Sequence, residues 1–109
     1  MVVLKPDLET RHERPGSYYL ATLGTGSQRA MVSALNRLAG MASSGLATYN
    51  SCPWWLWTPK LTTDIHAELI RRYKPATVNR HLTALRGVLK AAWHLGLMQE
   101  RNYRDRKSV

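Results

Sequence analysis

Apolar residues recur at helical spacing over three long stretches of the chain. Across residues 28–42, Met31, Ala34, Leu35, Leu38 and Ala42 share one face, and Arg29, Ser33, Asn36, Arg37 and Gly40 share the opposite one. Across 64–73 the stripe is Ile65, Leu69 and Tyr73, with Ile70 flanking it. The longest pattern covers 76–95. There Val78, Leu82, Leu85, Leu89, Ala92 and Trp93 fall together, while Asn79, Arg80, Thr83, Arg86, Gly87, Lys90 and His94 fall on the other side. A shorter helix is expected over 17–23, stopped by Gly24 and Gly26.

Terminal signals set the expected boundaries. Ser27 is expected to cap the second helix, and Thr62 or Thr63 the third. Asp64 would then stand in the third helix's first turn, with Arg71, Arg72 and Lys74 at its end, in keeping with the macrodipole. Pro75 suits the first turn of the fourth helix and Gly96 its C-terminal cap. Residues 43–60 form a loop punctuated by Gly45, Asn50, Pro53 and Pro59. It holds Trp54, Trp55 and Trp57, at least two of which are expected to pack on the helices around a short turn at 53–57. Trp93, on the apolar stripe, is expected in the core.

These elements predict an all-α fold, a compact four-helix bundle. Residues 1–16 are expected to be a flexible lead-in and 17–103 the helical domain, with a further turn at 99–103. Residues 104–109 are a basic tail or the start of a linker.

Composition sharpens the picture through charge. Lys and Arg number 16 against 7 acidic residues, a net charge of +9. Such a chain attracts polyanions, and each phosphate it neutralises releases counterions. Nucleic acid is the first candidate partner. An anionic membrane surface is the weaker one, because the basic segments lack the bulky apolar face of an interfacial helix. No apolar run is long enough to span a bilayer, and the N-terminal residues carry no signal-peptide pattern. The single cysteine, Cys52, excludes an intrachain disulfide and fits a reducing, cytoplasmic setting.

The candidate chemistry is binding rather than catalysis. Arg and Lys neutralise phosphates, and Asn and Thr bond to phosphates or base edges. The polar faces of the second and fourth helices supply both kinds. Gly87 lies mid-helix on the second of these faces, where a glycine is costly, and close approach of the backbone to a phosphate would give it a reason. For each face the alternative is an ordinary solvated surface. The Trp cluster admits base stacking, with a core role as the stronger reading. His12, His66, His81 and His94 have no metal-ligand spacing, so neither metal nor cofactor is expected. No nucleophile motif, phosphate loop or paired-acid site is visible, and the seven acids are scattered.

The stretch Tyr73-Lys74-Pro75-Ala76-Thr77 resembles the Tyr-x-Pro-x-Thr opening of the last helix in core-binding domains of tyrosine recombinases, the phage-integrase family. Leu82-Thr83-Ala84-Leu85-Arg86-Gly87-Val88-Leu89 resembles their Leu-x-x-Leu-Arg-x-x-Leu run, and Trp93 before Gly96 their closing aromatic and glycine. Residues 19–23 and 26–31 are similar to the family's first two helices. The resemblance covers about residues 17–103 and implies a SAM-like bundle that closes over one side of a recombination half-site, its second and fourth helices facing DNA. The implied contacts are Arg29, Ser33, Asn36, Arg37, Thr77, Asn79, Arg80, Thr83, Arg86, Gly87 and Lys90.

In the family the catalytic Arg, Lys, His-x-x-Arg box and nucleophilic Tyr belong to a further, C-terminal domain, which is expected to be absent from this chain. No tyrosine here, Tyr103 included, is therefore assigned as a nucleophile, and the chain is expected to be no enzyme by itself, either an excised domain or a natural fragment. The expected partners are double-stranded DNA and other protomers bound to it, with no small-molecule substrate and no membrane. The expected setting is the cytoplasm of a bacterium, host or phage-encoded. Two rival readings stay open, a basic helical module that docks an acidic protein and a free-standing helix-turn-helix regulator.

Overall fold

The computed structural model describes residues 3–7 and 14–98. Among them the chain forms four α-helices and one short 3-10 turn, with no strand: α1 (Pro15–Ala21), α2 (Thr25–Ser43), the turn Trp54–Leu56, α3 (Pro59–Arg72) and α4 (Pro75–His94). The expected turn at 99–103 and tail at 104–109 lie outside the described residues, as do His12 and Tyr103.

Three helix starts differ from expectation, the first being α1, which runs over Pro15–Ala21 rather than 17–23, with Pro15 at its first position. α2 begins at Thr25 behind Gly24, whose position makes no side-chain cap, so Ser27 is already helical. Gln28 ties the α1–α2 corner instead, donating through Nε2 to the carbonyls of Leu20 and Leu23. α3 starts at Pro59 rather than near Thr62. The Thr58 hydroxyl accepts the Leu61 N–H at 3.1 Å, and Pro59, lacking an N–H and pre-set in φ, follows as the first helical residue. Asp64 therefore lies beyond the first turn, paired with Lys60 at 3.3 Å.

Both ends of α4 follow the sequence. Pro75 opens α4. At its far end Gly96 takes φ +76°, the Leu97 N–H reaches the Ala92 carbonyl, and the Gly96 N–H reaches that of Trp93. This is a Schellman closure, which needs a left-handed residue where Gly96 stands.

α4 runs through the middle of the bundle and touches α1, α2, α3 and the 3-10 turn. Its buried arc is accordingly wider than the stripe, adding His81, Ala84, Val88 and Ala91 to Val78, Leu82, Leu85, Leu89 and Ala92. Trp54 and Trp57 are fully buried and stack at 5.3 Å between centroids. Each indole N–H is satisfied, Trp54 donating to the Tyr49 carbonyl and Trp57 to the Thr62 hydroxyl, both at 2.9 Å. They form the aromatic heart of the core. Trp93, expected there, sits only partly buried at its margin, tilted against His94.

Residues 3–7 of the expected lead-in lie against the bundle. Leu4 is 6% exposed and donates its N–H to Ala42, Asp7 donates its own to Ser51, and the Asp7 carboxylate faces Arg14. No described helix is long and apolar enough to cross a membrane.

Candidate nucleic-acid interface

The polar faces of α2 and α4 emerge as expected, but they are not one surface. Arg29, Ser33, Asn36 and Arg37 are exposed along α2, and Asn79, Arg80, Thr83, Arg86 and Lys90 along α4. The link between the helices fixes how these faces are related. Arg37 of α2 reaches His81 of α4, its Nη1 standing 3.2 Å from the imidazole Nε2. At about 100° per residue, His81 lies about 140–180° around α4 from Asn79, Thr83, Arg86 and Lys90. Those four therefore form a ridge turned away from α2. Thr77 is about 40° from His81, and Arg80 about 100°.

The structure thus divides the expected contact set. Arg37 and the Thr77 carbonyl bond to His81, Arg80 stands near enough to act on its charge, and Ser33 and Arg29 continue the same α2 face one and two turns from Arg37. The ridge of Asn79, Thr83, Arg86 and Lys90 stands apart. Asn36 points to the edge of the α2 face, where its Oδ1 accepts the Tyr49 N–H at 2.8 Å. Gly87 has a different reason for being glycine from the one expected. Tyr19 of α1 lies across it, and a Cβ there would stand 2.5 Å from Tyr19 Cζ and closer still to Cε1. Helix packing, not approach to a phosphate, explains the missing side chain. Gly87 and Lys90 line a small groove of about 320 Å³ between α1 and α4, with Tyr18, Tyr19 and His94.

Around His81 the side chains form an ordered stack. The imidazole is 2% exposed and lies nearly parallel to the Tyr73 ring, with centroids 5.8 Å apart. The Arg37 guanidinium covers that same ring at 4.8 Å, a cation–π contact. His81 Nδ1 is 2.7 Å from the Thr77 carbonyl, which can only accept, so Nδ1 carries the proton and donates. Nε2 is then the lone-pair atom and accepts from Arg37. Burial pushes the imidazole below its ordinary pKa, and the nearby cations Arg37 and Arg80 push the same way, while the bond to Thr77 opposes them. His81 is neutral at pH 7, and Arg37 is held without an acid.

Charge is distributed unevenly over the described residues. Asp7, Asp64 and Glu68 each face basic side chains, Glu68 holding both Arg71 and Arg72. On α3, Asp64 and Glu68 offset two of the three paired basic charges beside a groove of about 800 Å³ that Arg37 and Tyr73 border. No described carboxylate pairs with Arg29, Arg37, Lys74, Arg80, Arg86 or Lys90. No three described His, Cys, Asp or Glu side chains gather where a metal ion could sit.

Sequence reasoning missed three residues here. Tyr73 was expected as the end of an apolar stripe, Lys74 as a helix-end charge, and His81 without a role. The available signal was the spacing of Thr77 and His81, four residues apart on one side of the start of α4, with Tyr73 at the α3–α4 junction just before them.

Comparison with protein-family models, curated proteins and solved structures finds no match to this chain.

Proposed function

We propose that this chain binds duplex DNA as a core-binding, SAM-like domain of a tyrosine recombinase, with strand cleavage left to a catalytic domain elsewhere. The observation that carries this reading is the group of unpaired cations on α2 and the start of α4: Arg29, Arg37, Lys74 and Arg80. Acids offset two of the three paired cations on the α3 flank but pair with none on this face. The first turn of α4 adds to it, since Lys74 offers no side-chain cap and leaves N–H groups open to an anion. Ser33 and Thr77 supply small hydroxyl donors between the charges. Of the eleven expected contacts, we assign Arg29, Ser33, Arg37, Thr77 and Arg80 to the duplex face. The α4 ridge faces another direction and would meet a different part of the recombination complex.

The test is fluorescence anisotropy of the full chain on a short labelled duplex over a range of salt concentrations. Binding should weaken steeply with salt, and Arg80→Gln should lower the slope of log affinity against log salt by about one. A docking module for acidic proteins would instead bind polyglutamate as tightly as duplex, and that result would replace this reading.

A further inference from the structure

The basic residues of the duplex face differ in how firmly they are held. Among the described residues, Arg29 and Arg80 make no hydrogen bond and no ion pair. Long free cations of this kind suit phosphates, which repeat along any duplex and tolerate a loose fit. Arg37 is different. It is exposed, yet the Tyr73 ring lies under its guanidinium at 4.8 Å and the His81 Nε2 lone pair holds its Nη1 at 3.2 Å. His81 is itself fixed by its bond to the Thr77 carbonyl and its stack on Tyr73. Three elements, α2, the end of α3 and the start of α4, meet to aim one guanidinium.

Resting on the duplex-binding reading, we propose that Arg37 is the base-reading residue of this surface, taking the edge of a guanine in the major groove, and that His81 is its positioning residue. A guanidinium carries five N–H donors, and the bond to His81 uses one. The remaining fork matches the paired O6 and N7 acceptors of guanine, which no other base presents together. A side chain ordered before binding loses less freedom on docking, so the geometry favours a contact that must be exact in direction over one that need only be near. The neutral partner matters too. A carboxylate in the place of His81 would hold Arg37 equally well but cancel its charge and repel DNA.

A phosphate could also take this fork, and the two acceptors are separated by sequence dependence. The experiment is selection of the full chain on duplexes with a randomised interior, sequenced after binding, for the wild type, Arg37→Lys and Arg37→Ala. Anisotropy on the selected site and on its single-base variants follows. Wild type should prefer guanine at one position by about ten- to a hundredfold. Both Arg37 variants should lose that preference, although lysine keeps the charge. His81→Phe keeps the ring on Tyr73 but offers no acceptor, and should blunt the preference. His81→Gln, which puts an amide oxygen near the place of Nε2, should restore part of it, a rescue that a purely structural histidine would not show. If the Arg37 variants weaken every duplex alike and leave base preference intact, Arg37 is a phosphate contact and the proposal is overturned. If the wild type binds duplex with no base preference, the proposal fails and the duplex reading stands. If it binds no duplex, the duplex reading itself fails.

Discussion

The Tyr19 ring of α1 occupies the space that a side chain at Gly87 of α4 would need. This contact sets the approach of α1 to the central helix, and it gives opposite signs to one substitution in two backgrounds. Gly87→Ala in the wild type gains about 1 kcal/mol of helix propensity but drives a methyl group into the ring, an overpacking cost of about 1–3 kcal/mol. The expected outcome is net destabilisation. With Tyr19→Ala already present the obstacle is gone, and the same Gly87→Ala change should stabilise by up to about 1 kcal/mol. Urea melts of the four proteins in this cycle measure it, and an additive cycle would show that the ring does not constrain Gly87.

The same contact shows what the sequence could and could not convey. Periodicity located α2, α3 and α4 because each buries one stripe and wets another, and Pro75 and Gly96 marked the ends of α4 by backbone chemistry that acts locally. Gly87 looked functional because its reason, Tyr19, is far away in sequence. The candidate site suffered from the same blindness. A helical period says which side of a helix faces out, not how the outward sides of two packed helices are related. Arg86 and Lys90 were grouped with Arg37 for that reason, and only the approach of Arg37 to His81 separates them. The start of α3 was misjudged because Thr58 with Pro59 is a stronger local signal than Thr62 or Thr63.

Thr62 closes the Trp57 indole in the core, and its hydroxyl is the part that matters. Thr62→Val has nearly the same shape but leaves the buried Trp57 N–H without its acceptor at 2.9 Å. The expected loss is about 1–3 kcal/mol, the cost of an orphaned buried donor. Thr63→Val, an exposed change one residue along, should stay within about 0.5 kcal/mol. Chemical denaturation followed by tryptophan fluorescence compares the two, and equal losses would mean that the indole finds another acceptor.

Cys52 reports on opening of the bundle. It is fully buried, and burial pushes its thiol up to about 12, so almost none is thiolate at neutral pH. A maleimide reagent should label the native chain only through opening, slower than the denatured chain by on the order of a thousandfold or more. Labelling at the free-thiol rate would show that the loop around Cys52 leaves the core readily.

The buried imidazole makes stability depend on pH in a defined direction. The groups that face His81 are Arg37 from α2, Tyr73 at the end of α3, and Thr77 and Arg80 on its own helix. Burial first, and then the two cations with no acid among these groups, make the folded protein resist protonation, so the His81 pKa falls below the ordinary 6.5 although the bond to Thr77 opposes the shift. The unfolded chain therefore takes up this proton first as the pH drops. By linkage, the stabilisation that comes from keeping His81 neutral is complete above 6.5, shrinks as the pH falls towards the lowered folded value, and changes no further beneath it. His81→Phe has no proton to take up at that position. The difference in unfolding free energy between wild type and His81→Phe should move against the wild type over this acid window and stay constant above it. Protonation would also turn Nε2 into a donor facing the Arg37 donor, so the same window should see Arg37 released from its support. Denaturant titrations at closely spaced pH values, with the Arg37 side-chain Nε–H followed by NMR, test both consequences. A pH-independent difference between the two proteins would mean that the imidazole titrates as freely in the fold as in the open chain, and the ordered stack on Tyr73 would then not hold it neutral.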